Sequence, residues 1–342
     1  MWGLNNETPL QAERTWVRDG SGAEVWVVAA KATFTLQSDG TAIPAEDPEP
    51  VHLAPIYNGE AGASSLGRES DVMLGKAATD VILEGFAYPQ HSDHPVVDVA
   101  LEVGPLTKIV RVYGNRRWGK SPFGLRLSQP EPFDRIPLAF ENAFGGSFEP
   151  GEKGKGAAFA QNPVGKGFAR GPKDVDGLAP PNLENPADLI THWGDRPAPA
   201  CFGPIARDWE PRQSMAGTYD ETWMQERRPL LPLDYNPGFS QWVPPNQQVQ
   251  GFLKGGEQVR ISNACADGEW RFQLPKVFLG FQTRFKHKTE HHRADLHTII
   301  LAPEQRKLVM TWQTHLECHP QTYELLETTL FEKQKMPLVG AF

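Results

Sequence analysis

Apolar and polar positions alternate from the start of the chain. "TWVRDGSGAEVWVVAAKATFTL", Thr15 to Leu36, sets two such runs on either side of Asp19-Gly20. An Asp-Gly pair between β-branched runs predicts a hairpin, here with a longer second strand. "DVMLGKAATDVILEGFAY" and "VVDVALEVGPLTKIVRVYG" continue the pattern, bounded by glycine and proline. Residues 1–144 therefore read as an N-terminal β lobe, sandwich- or barrel-like.

From 145 to 247 the rhythm stops. "GGSFEPGEKGKGAAFAQNPVGKGFARG" has no period, and about half of the 31 prolines lie in this span. A long loop inside a compact domain is usually functional or mobile. One helix is expected near 219–228. Thr218 and Glu221 make a T-x-x-E capping box, and Pro229 stops the helix that follows. Trp223 and Arg227 would then lie on one face, within reach of a cation–π contact.

Strands return from 248. "QVQGFLKGGEQVRISNA", "GEWRFQLPKVFLGFQTRF" and "DLHTIILAPEQRKLVMTWQTHL" read as successive hairpins, the last turning at "APEQRK". A short helix over 321–332 is expected to close this C-terminal β lobe, 248–342. No repeat of solenoid or propeller period is visible. The expected fold is mainly β: two strand-rich lobes joined by a long Pro/Gly-rich irregular segment with few short helices.

Composition narrows the function. The 34 basic and 42 acidic residues leave a net charge of −8, which argues against a general nucleic-acid binder. "MWGLNNETPLQAERTW" lacks the layout of a signal peptide, and runs such as Val25–Ala30 are too short to span a bilayer. Cys201, Cys265 and Cys318 lack metal-knuckle spacing, so three reduced, partly buried thiols in the cytoplasm are expected.

"GNRRWGKS", Gly114 to Ser121, matches the phosphate-loop pattern. That site needs a helix starting behind Lys120 and Ser121, and Pro122, Gly124, Pro130 and Pro132 leave no room for one. "KHKTEHHRADLH" offers His287, His291, His292 and His297, but its charged residues suggest a solvated hairpin loop. "HSDH", His91 to His94, reads as a surface turn. "GKG" at Gly154 and at Gly165 is a weak anion-site signal. No catalytic, cofactor or metal residue is assigned. Trp and Arg, the residues enriched at interface hot spots, crowd the middle segment: Trp193, Arg196, Arg207, Trp209, Arg212, Trp223, Arg227, Arg228 and Trp242, with Trp270 just beyond. Prolines would hold such a surface rigid and lower the entropy cost of binding.

The ordered phrases "VYGNRRW", "PLAFENAFGG", "NPVGKGF", "LPLDYNPGFSQWVPP", "GGEQVRISN" and "FQLP", spread from about residue 10 to 320, resemble the bacterial family catalogued as domain of unknown function 2169. The resemblance implies a non-enzymatic cytoplasmic adaptor or chaperone of type VI secretion. It would bind a toxin effector and deliver it to the spike, at the tip protein or its cap. It brings no catalytic residues to carry over. The alternative is an enzyme on a β-sandwich, either a carboxylate hydrolase or a nucleotide-using enzyme built on Gly114–Ser121.

Overall fold

The computed structural model describes residues 2–122, 124–148 and 156–333. The protein is mainly β, and the two α-helices among the described residues are short: α1 (Arg212–Met215) and α2 (Glu221–Glu226). None of the sheets closes into a barrel among the described residues.

A seven-stranded sheet organises the rest. Its order is Gln248–Gln250, Ala78–Leu83, Asp295–Ala302, Lys307–Glu317, Glu24–Leu36 and Gln11–Arg18, with Ala42–Pro44 paired to the end of Glu24–Leu36. The expected hairpins are present. Gln11–Arg18 pairs antiparallel with Glu24–Leu36, and Asp295–Ala302 turns at Pro303–Gln305 into Lys307–Glu317. The strand-rich stretches at the two ends of the chain do not form separate sheets. Glu24–Leu36 pairs along its length with Lys307–Glu317, and Ala78–Leu83 runs parallel to Asp295–Ala302. A strand buried on both faces needs partners on both edges, and the C-terminal stretch supplies the second edge.

Successive side chains of a strand point to opposite faces, and the two faces of this sheet differ. On one face Trp26, Val28 and Ala30 meet Phe281, Phe285, Leu325 and Leu330 of a four-stranded sheet. Further along the same strand, Ala32, Phe34 and Leu36 meet the five-stranded sheet of Leu183–Glu184, Leu106–Tyr113, Val96–Val103, Gln258–Ser262 and Glu269–Gln273. On the other face the irregular segments cover buried ion pairs: Lys31 with Asp71 at 2.6 Å, and Lys76 with Asp80, the latter beneath Trp242. Burial pushes Lys76 down and Asp80 up, each toward its neutral form, and their mutual attraction opposes this.

The helix expected over 321–332 is instead a strand. Leu325–Glu332 runs antiparallel to Leu279–Phe285 and parallel to Gly3–Asn6. Thr328 lies at the centre of a buried polar chain, accepting from Trp26 Nε1 at 2.8 Å and meeting Thr283 at 2.7 Å. Two open sheet edges and this chain outweigh the helix propensity of Leu and Glu. No helix is long and apolar enough to cross a membrane among the described residues. All three cysteines are free and buried.

Candidate protein-binding face

The span that leaves α1 and returns at Asn236 is a compact excursion on two closed feet. Asn236 N–H donates to the Met215 carbonyl at 2.9 Å. Just inside, the Asp234 carboxylate accepts the Thr218 N–H at 2.9 Å and the Thr218 hydroxyl at 2.7 Å. Gly217 stands between them at φ +83°, and a Cβ there would lie 2.8 Å from Pro232. Only glycine meets both demands.

The expected helix is here, with a different cap. Asp220, not Thr218, accepts the Trp223 N–H at 2.8 Å, because the Thr218 hydroxyl is engaged by Asp234. α2 ends at Glu226, ahead of Pro229. The Trp223–Arg227 stack does not form. Trp223 Nε1 donates to the Leu230 carbonyl at 2.8 Å, and the Trp223 ring meets Tyr219 edge-on at 4.7 Å. Arg227 donates to the carbonyls of Leu231 at 2.8 Å and Gly20 at 2.6 Å, tying the excursion to the first hairpin turn.

This excursion borders a cavity of about 420 Å³ lined by Trp223, Pro232 and Leu233, with Asp220, Glu226, Asp234 and Arg227. Leu233 is 87% exposed, Met224 58% and Tyr219 54%. Apolar side chains left in water and gathered on one anchored element make a candidate interaction surface, whereas single ones are ordinary. No periodic pattern in the sequence marks these three. The only signal was "LPLD", a leucine after a proline and outside any period.

The other expected contact residues do not join this face. Trp209, Arg212 and Trp242 are buried, a correction to their reading as partner contacts. Trp209 packs edge-on against Phe140 at 5.3 Å in the main core, and Trp242 packs on Ile82 and Ile300 under the seven-stranded sheet. Arg212 can be buried because Glu69 lies 2.9 Å away and the Ile205 and Phe239 carbonyls accept its N–H groups. Arg207 reaches the same Glu69 from the surface. Trp193 is half-buried in a separate cluster around Trp118 and Phe144. Arg196, exposed beside it, lies 5.2 Å over Phe168. Trp270 is half-buried against Phe272 at 4.9 Å. Arg228 is exposed next to Arg227.

The Gly114–Ser121 match folds as sheet. Trp118–Ser121 pairs antiparallel with Gly124–Leu127, so no helix N-terminus stands behind Lys120, which pairs instead with Asp176 at 2.9 Å. Gly114 serves packing, since a Cβ there would lie 1.7 Å from the Glu131 carbonyl. Gly165 and Lys166 do not form an anion cradle. The Lys166 and Phe168 amides bond Ala143 and Gly145, and the Lys166 ammonium donates to Asn142 at 3.0 Å. Gly154 lies outside the described residues.

The histidine run is not a solvated loop. Thr289–His292 is a strand whose His292 turns inward, as does His297 on the strand Asp295–Ala302. His292 sits between Thr283 at 2.7 Å and Thr314 at 2.5 Å. His297 bonds Gln313 at 2.9 Å. Burial holds His292 down at about 4 and His297 well below the ordinary histidine value. His287 and His291 are exposed. No group of three or more metal-ligating side chains occurs among the described residues.

A second cavity, about 520 Å³, lies where Arg68 meets both Glu49 and Glu84, beside His52, Phe140 and Cys201. Burial alone would raise Glu49, but Arg68, Lys31 and Lys307 override it and hold the carboxyl at about 2. Glu49 is thus ionised at neutral pH and has no proton to give, so it does not fit the general acid of a carboxylate hydrolase.

The model of a family described as uncharacterized protein conserved in bacteria, DUF2169, matches residues 21–313. No curated protein and no solved structure matches the chain.

Proposed function

The chain belongs to that bacterial family, domain of unknown function 2169, and from this premise we propose that it is a non-enzymatic adaptor or chaperone. In this reading it binds a type VI secretion toxin effector in the cytoplasm and helps load it onto the spike tip protein or its cap. The observation that carries the reading is the exposure of Tyr219, Met224 and Leu233 on one anchored excursion beside a cavity. A surface of this kind suits a protein partner, since apolar anchors in a rigid frame bind without a large ordering cost.

The experiment is co-expression with a panel of candidate toxin effectors and spike proteins. The expected result is a stable complex with one effector, which becomes poorly soluble when expressed alone. No complex with any effector of the panel, and full effector solubility without this chain, would overturn the proposal. An enzyme at the Glu49–Glu84 cavity is the competing reading. A hydrolytic activity lost in Glu49→Gln would favour it.

A further inference from the structure

We propose that the cavity beside α2 is the docking groove, and that it takes a short extended segment of the partner carrying a lysine or arginine next to a large apolar side chain. This rests on the adaptor reading and adds the chemistry of the contact.

The charges at the groove decide the sign. Its lining holds three carboxylates, Asp220, Glu226 and Asp234, against one guanidinium, Arg227. The hydrogen bonds from Thr218 hold Asp234 below the ordinary aspartate value, so it is ionised at neutral pH. Arg227 has Nε and Nη2 turned to backbone carbonyls, which fixes it as part of the frame. Glu226 is exposed at the groove, and no ion pair engages it among the described residues. Arg228 is exposed nearby but does not line the groove. A cation on the partner therefore meets an unmatched carboxylate, and the chain's net charge of −8 steers a basic segment toward it.

The apolar part of the groove decides the neighbour. The Trp223 ring is held by its bond to Leu230 and by Tyr219, and Leu233 stands almost wholly in water. An apolar side chain laid across Trp223 and Leu233 covers both. Because the backbone of the excursion is closed on itself, the segment docks through side chains rather than by adding a strand.

The test uses the full chain and immobilised peptides of about nine residues. One series carries arginine beside leucine or phenylalanine. A second replaces arginine by glutamate, and a third replaces the apolar residue by alanine. The variants Leu233→Asp and Glu226→Lys change exposed positions, and each is first checked for an unchanged melting temperature. The expected result is binding of the first series alone, at micromolar strength, weakened about tenfold or more by either variant. It should also weaken as salt rises from about 50 to about 300 mM. Glu226→Lys should gain binding of the glutamate series. Equal binding of basic and acidic series, or full binding by both variants, overturns the groove. If the effector complex survives both variants at full affinity, the groove is wrong while the adaptor reading stands. If the unmutated chain holds neither effector nor peptide, both fall together.

Discussion

Arg212 and Glu69 form an ion pair at 2.9 Å with their side chains 2% and 0% exposed. Glu69 would be raised by burial, but Arg207 and Arg212 hold it low. The pair fastens α1, and through it the foot of the exposed excursion, to the loop that leads into the seven-stranded sheet. Removing one partner of such a pair strands the other charge.

Arg212→Ala should therefore destabilise the fold by about 3 kcal/mol, with Arg207 compensating part of the loss. Urea unfolding measures it. A change below about 1 kcal/mol would show that Arg207 alone satisfies Glu69.

Trp209→Ala and Leu233→Ala should separate the core from the contact surface. Trp209 fills the main core against Phe140, so its loss should cost about 3–5 kcal/mol. Leu233 touches water over most of its surface and should leave stability within about 0.5 kcal/mol. A Leu233→Ala loss comparable to that of Trp209→Ala would mean that the leucine is a structural element.

Stability should fall as the solution is acidified through the histidine range. His292 is neutral in the folded state and titrates near 4, chiefly because it is buried, while the unfolded side chain titrates near 6.5. The unfolded state binds more protons between those values, so the stabilisation is complete above about 6.5 and is lost toward 4. His292 alone accounts for about 2 kcal/mol between pH 7 and pH 5. Chemical unfolding at several pH values tests this, with His292→Gln expected to flatten the curve. An identical slope in the variant assigns the effect to other groups.

Lys120→Ala should change neither melting temperature nor effector retention. Its ammonium pairs with Asp176 in open water, and the backbone around it is a hairpin. A nucleotide analogue that binds at about micromolar strength and is lost in the variant would restore the phosphate-loop reading.

The hairpins were legible because their turns are local: Asp19-Gly20 and Pro303–Gln305 lie where their residue types demand. The partners of the strands were not legible. Nothing near Glu24–Leu36 says that Lys307–Glu317 completes it, and Leu325–Glu332 has a helix former's composition until two open edges claim it. At the candidate face, the helix and its stop could be read from the residues around Pro229. Which tryptophans and arginines face water could not. Arg212 and Trp242 are interior only because Glu69, Asp80 and Lys76, distant in sequence, meet them there. Leu233 is not legible either, because exposure leaves no periodic trace.

The pairing of Glu24–Leu36 with Lys307–Glu317 also sets a timetable for biosynthesis. Glu24–Leu36 is made long before Lys307–Glu317 and must wait for it before its longer ladder can close. Until then its run of valines and alanines stands beside a vacant edge, a template for pairing with other nascent chains. A stop codon between Leu36 and Lys307 would make that state permanent. The shortened product should accumulate as insoluble aggregate, even though all of its N-terminal sequence is intact.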